Sequence, residues 1–264
     1  METSQVPDAR NSICPLLKES FSVEKSKNNM GTLSLYFLSL CMLLCGCVKF
    51  SKNEMKALKI ISERYGCGIY IDKKNTIFIT DINSPEEVHL QIEMTNIEMS
   101  KFHKTPDMGA IISAWLFLST LGDAGDNISS LRVQYPFKSK MRNIEVDIEA
   151  IRLFCSFNPR LEDIDHIFKT ENYEAIASMI SPKILAESDM TKFLKELAEL
   201  DSLHGTVEEQ VITRIETVRP KTDTTLTWVR FHGNQKRGQK VLPFVINFDP
   251  YSGVTPIVGI HFTE

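Results

Sequence analysis

The sequence predicts an α+β protein behind an N-terminal signal or anchor. Three observations carry this. An uncharged, apolar run closes the first fifty residues. Segments of helical and of alternating period then follow one another up to about residue 158. Finally, helices are succeeded by four extended runs, the order of an antiparallel meander. The 264 residues are 42% hydrophobic and 9% aromatic, enough apolar mass for one large or two small cores. Lys and Arg total 30 against 34 Asp and Glu, so no concentrated basic charge points to a nucleic-acid partner.

Asn28 to Val48 contains no charged residue, with Lys25 and Lys27 before it and Lys49, Lys52 and Lys56 after. A helix needs about 20 apolar residues to cross a bilayer, and a signal peptide has a similar apolar core. The run ends in Leu44-Cys45-Gly46-Cys47. This ending resembles the lipobox of bacterial lipoproteins: a Leu, two small residues and the Cys that takes the lipid. The resemblance implies lipidation at Cys47 and a membrane-lipid partner through the N-terminus. It places the body on the outer face of a bacterial membrane, periplasmic or at the surface. The alternative is an uncleaved single-pass anchor. With residues 1–47 as leader, Cys67 and Cys155 remain in the body. They form either one disulfide in an oxidising compartment or two separate thiols.

Residues 48–158 read as a small α+β domain. Met55, Leu58, Ile60 and Ile61 recur at helical spacing over 52–65, and Gly66 to Gly68 stops the helix. Ile69 to Ile71, a turn at Asp72 to Asn75, and Thr76 to Thr80 read as a hairpin; Val88 to Met94 alternates as a third strand. Pro106 to Leu121 is helical, with Gly122 and Gly125 at its end, and Leu131 to Tyr135 is a strand. Ile144 to Phe157 reads as a helix broken at Asn158-Pro159, the expected boundary between units.

Residues 159–264 form the second unit. Helices are expected over 160–168, 173–179 and 191–200, and strands over 207–218, 226–231, 241–248 and 255–262. Gly233 to Gly238 reads as a hairpin loop, whose Lys236, Arg237 and Lys240 are expected to form a solvated basic tip; Asp249 to Gly253 reads as a second turn. The run Tyr173 to Pro182, then Phe193-Leu194-Lys195-Glu196-Leu197, then the meander, resembles the nuclear transport factor 2-like (cystatin-like) superfamily. That resemblance implies an α+β roll, a curved antiparallel sheet around a conical pocket.

Pocket chemistry would fall to Asp201, His204, His232, Asp249 or His261, with Trp228 and His204 the candidate pocket residues. Alternation turns His261 away from Ile260 and Phe262, and Asp249-Pro250 is turn chemistry. No catalytic residue is assigned, and no cofactor or metal is implied: CxxC and HExxH are missing from the sequence, and Gly122 to Asp126 lacks the Lys-Ser/Thr of a phosphate loop. Two functions stay open. One is a binding or scaffold lipoprotein with an envelope protein as partner; the other is a ligand-binding or hydrolytic domain using the roll's pocket.

Overall fold

The structure is a computed structural model and describes residues 50–76, 87–182, 187–220, 225–253 and 256–262. The expected leader, Cys47 included, lies outside the described residues. The described chain is α+β with two four-stranded sheets.

Helix α1 spans Lys52–Tyr65. Ser51 and Glu54 close a reciprocal capping box, and Gly66 ends the helix in the left-handed region at φ 62°. Strands β1 (Gly68–Thr76), β2 (Glu87–Thr95), β3 (Ile128–Phe137) and β4 (Lys140–Val146) lie side by side in chain order. The outer pairs are antiparallel and β2–β3 is parallel. A parallel neighbour needs a long crossover, supplied here by the segment holding α2 (Pro106–Leu121). Helix α2 is buried along most of its length and is the one described segment long and apolar enough to cross a membrane. An all-round apolar helix inside a folded body is a core helix.

Helices α3 (Ile148–Cys155), α4 (Asn158–Thr170), α5 (Glu174–Ala177) and α6 (Glu187–His204) lead into the second sheet. Its strands β5 (Glu209–Val218), β6 (Trp228–Arg237), β7 (Lys240–Phe248) and β8 (Ile257–Phe262) form an antiparallel meander.

Three local expectations are corrected. The turn expected at Asp72 to Asn75 is the second half of β1, which pairs with β2 from Gly68↔Thr95 to Thr76↔Glu87. Its polar residues are tolerated because β1 is an edge strand, where charge discourages further pairing. Lys140–Val146 is a strand and not the start of a helix. It too lies on an edge, mostly exposed, and Asp147 caps the helix that begins after it. The hairpin loop expected from Gly233 is strand: β6 runs on to Arg237 and turns at Gly238, φ 54°. Gly233 is there because a Cβ would sit 2.3 Å from the Phe244 ring. Pro159 opens α4 from within its first turn, where a missing N–H costs nothing.

One apolar cluster runs through the body. Phe231 of β6 is fully buried and meets Trp115 of α2, Phe154 of α3, and Phe157, with ring centroids 6.2 to 6.5 Å apart. Phe157 stacks on Phe248 of β7 at 4.8 Å. Each fully buried ring contributes about 1.5–3 kcal/mol. Trp115 also donates its indole N–H to Asn158 Oδ1 at 2.9 Å, tying α2 to the start of α4.

Candidate functional site

The inner row of β6 is Val229, Phe231, Gly233, Gln235 and Arg237, all buried. Phe244, Ile246 and Phe248 of β7 are buried beside it. Rings from α2, α3 and Phe157 fill the space against this face. Trp228 and His232 belong to the other alternation of β6 and are half-buried, so neither points into that interior. His204 closes α6, half-buried; His261 is exposed; Asp249 Oδ1 accepts the Tyr251 N–H at 2.9 Å as a turn cap. The candidate residues therefore do not converge.

Asp201 is the exception. It pairs with Arg237, whose side chain is 0% exposed. The expectation that Arg237 belongs to a solvated basic tip is overturned, because strand alternation sends it inward two places after Gln235. Every part of the guanidinium is used. One terminal nitrogen donates to Asp201 and to the Gly205 carbonyl; the other and Nε donate to Gln235 Oε1. Gln235 passes its amide N–H to Gln210 at 3.0 Å, and the Tyr173 hydroxyl donates to the second Asp201 oxygen. Burial first, then the Asp201 carboxylate, pushes the Tyr173 hydroxyl well above its usual range. A buried network with every member satisfied joins α5, α6 and the second sheet. These bonds are all internal to the protein.

Cys67 is buried and Cys155 half-buried, and both are free thiols. Cys155 Sγ lies 3.4 Å from the Ser119 hydroxyl. Burial pushes both thiols up, away from the reactive thiolate.

Open volume lies instead at the side of the body. A cleft of about 460 Å³ forms where the Phe102–Thr105 loop meets β5, β6 and β7. β5 carries a bulge between Ile212 and Arg214, which turns Thr213 and Arg214 towards this edge. The loop contributes His103, 7% exposed, whose Nε2 lies 2.9 Å from the Tyr65 hydroxyl. Burial pushes the Tyr65 hydroxyl up, so it keeps its proton. Burial, and then the Arg64 charge, hold His103 down to about 4, so the ring is neutral at pH 7. The Tyr65 contact engages Nε2 and sets the orientation of the ring.

Across the cleft, His232 Nε2 lies 2.9 Å from Glu216 Oε1. A carboxylate only accepts, so Nε2 carries the proton. Arg214 donates to the other Glu216 oxygen. Burial pushes Glu216 up, but the bonds from His232 and Arg214 outweigh it and hold the carboxyl below its ordinary value. His103 was missed at the level of sequence because a lone His beside Phe102 and Lys104 carries no local signal. His232 was noted, but as a loop residue.

A second cleft, about 500 Å³, lies among α1, α2, α4 and β5, with Lys56, Trp115, Asp165 and Gln210 on its walls. Asp165 Oδ2 takes Lys169 at 2.7 Å. Its Oδ1 is the one buried side-chain polar atom without a partner among the described residues. Among those same residues, no three His, Cys, Asp or Glu side chains gather in a group able to hold a metal ion.

No family model, no curated protein and no solved structure matches this chain.

Proposed function

We propose that the chain is a membrane-tethered lipoprotein of the bacterial envelope whose body works as a binding or scaffold protein. Its C-terminal part is read as a cystatin-like roll. One observation carries the choice of binding over hydrolysis: the face where a roll would hold its pocket is packed with Phe231, Phe244 and Phe248, and its ionisable pair, Asp201 and Arg237, is spent on internal bonds. A general base needs to reach a bound substrate, and Asp201, the one candidate carboxylate on that side, is bound by Arg237 and Tyr173 instead.

The tether rests on the uncharged run Asn28 to Val48 and its Leu44-Cys45-Gly46-Cys47 ending. A lipid on Cys47 would add about 0.8 kcal/mol per buried methylene, so two or three acyl chains hold a protein on a membrane durably. Growth with radiolabelled palmitate tests this: label enters the wild type and not Cys47→Ala. Label retained by Cys47→Ala rejects the lipid anchor at that thiol, and an unlabelled, membrane-bound wild type points to the single-pass span.

A further inference from the structure

We infer that the cleft formed by the Phe102–Thr105 loop with β5, β6 and β7 is a binding site for a small anion with an apolar body, a carboxylate or a phosphate monoester. No Asp or Glu lines it, in a chain whose acidic residues outnumber its basic ones by 34 to 30. What lines it instead are cationic and polar side chains: Lys104, Arg214, Asn234 and His103. Charge-assisted bonds of this kind are the strong ones, and the guanidinium fork suits a carboxylate or phosphate edge.

The rest of the wall is apolar. Phe102, edge-on to Tyr65 on one side, is still 48% exposed, and Met108 and Phe244 lie on the same cleft. About 460 Å³ is within the ordinary range for a small-molecule site. Glu216 bonds to two side chains of the lining without lining the cleft itself. It takes one arm of Arg214 and the Nε2–H of His232, which anchors both side chains and leaves the remaining Arg214 N–H groups unspent. His103 is held by Tyr65, so its ring is positioned before any ligand arrives.

Isothermal titration of the full chain with benzoate, phenyl phosphate, benzyl alcohol and benzylamine tests the site. One or both anions bind, and the alcohol and the amine bind at least about tenfold more weakly. The ratio of benzoate to phenyl phosphate affinity tells a carboxylate site from a phosphate site. Arg214→Gln and Lys104→Gln each weaken the anion about tenfold without moving the thermal midpoint, whereas Lys192→Gln, on the exposed side of α6 and off the cleft lining, leaves binding unchanged. The assignment is overturned if the neutral or cationic probe binds as tightly as the anions. It is equally overturned if both cleft variants bind like wild type, or if none of the four probes binds at millimolar concentration.

Discussion

Arg237 of β6 and Asp201 of α6 form an ion pair shielded from water, the guanidinium side chain 0% and the carboxylate 10% exposed. Charges so placed cost several kcal/mol each to desolvate, and only a complete set of partners offsets that. The set is complete here: Tyr173, Gln235 and the Gly205 carbonyl take the remaining bonds. The pair latches the last turn of α6 to the end of β6.

Removing one partner strands the other. Arg237→Met or Asp201→Leu is expected to cost about 3–5 kcal/mol in urea unfolding, and the double variant Asp201→Leu/Arg237→Met less than the sum of the separate costs. Strictly additive losses would mean that the two side chains do not act as a pair.

Gly233 faces the ring of Phe244 from the neighbouring strand, with the Val211 carbonyl also within 2.8 Å of where a Cβ would stand. Gly233→Ala should therefore lower stability by about 1–3 kcal/mol through overpacking. Phe244→Leu in the same background should recover part of it. Thermal melts of the wild type and these two variants decide the matter, and an unaffected Gly233→Ala would show that this approach is not tight.

Phe231 touches rings that come from α2, α3 and the turn before α4. Its truncation to Ala is expected to cost about 3–5 kcal/mol. Because the cluster spans both sheets, near-ultraviolet and far-ultraviolet signals should move together to a lower midpoint in the variant. Two separated transitions would instead mean that the sheets unfold independently.

Glu98 accepts the N–H groups of Lys138 and Ser139, both at positive φ in the β3–β4 turn, at 2.7 and 3.0 Å. The Ser100 hydroxyl, followed by these backbone bonds, holds the carboxyl down to about 2 from an ordinary 4.5. A depressed carboxylate contributes its stability above 4.5, and that contribution fades as pH falls towards 2. In Glu98→Gln, the acid limb of the melting profile should be shallower across that window, and the Lys138 and Ser139 amides should exchange faster. Identical acid limbs would remove Glu98 from the turn's support.

His103 acts in the opposite half of the acid range. The folded protein holds it neutral down to about 4, while the unfolded chain takes the proton near 6.5. Stability from this group is thus full above 6.5, falls as pH drops from 6.5 to 4, and levels below. His103→Phe should flatten the profile in that interval and leave the region below 4 unchanged. A slope that survives the substitution belongs to another histidine.

The helices were legible because their signals are local. Leu58 and Ile61 are spaced for one face, Ser51 and Glu54 stand three apart for the capping box, and Gly66 supplies the left-handed stop. The last four strands were legible for the same reason, through alternation between turn residues. Errors came where one residue type serves two purposes. Gly233 reads as punctuation but makes room for a ring, and Asp72 to Asn75 read as a turn but lie on an edge strand that tolerates charge. Of the candidate site residues, Asp201 bonds Arg237, which the sequence placed in a solvated tip, and His232 bonds Glu216, which the sequence did not single out.

What the sequence determined by itself is the α+β class, the order of most elements and the apolar mass they enclose, since caps, periodicity and turn chemistry act over a few neighbouring residues. Tertiary structure alone decided that β2 lies parallel to β3, that Arg237 is buried, and that His103 and Arg214 share a cleft. These outcomes depend on groups far apart in the chain: the Arg64 guanidinium donates to the Ile212 carbonyl, 148 residues away. No local pattern encodes such a meeting, because it exists only once the sheets and helices have packed together.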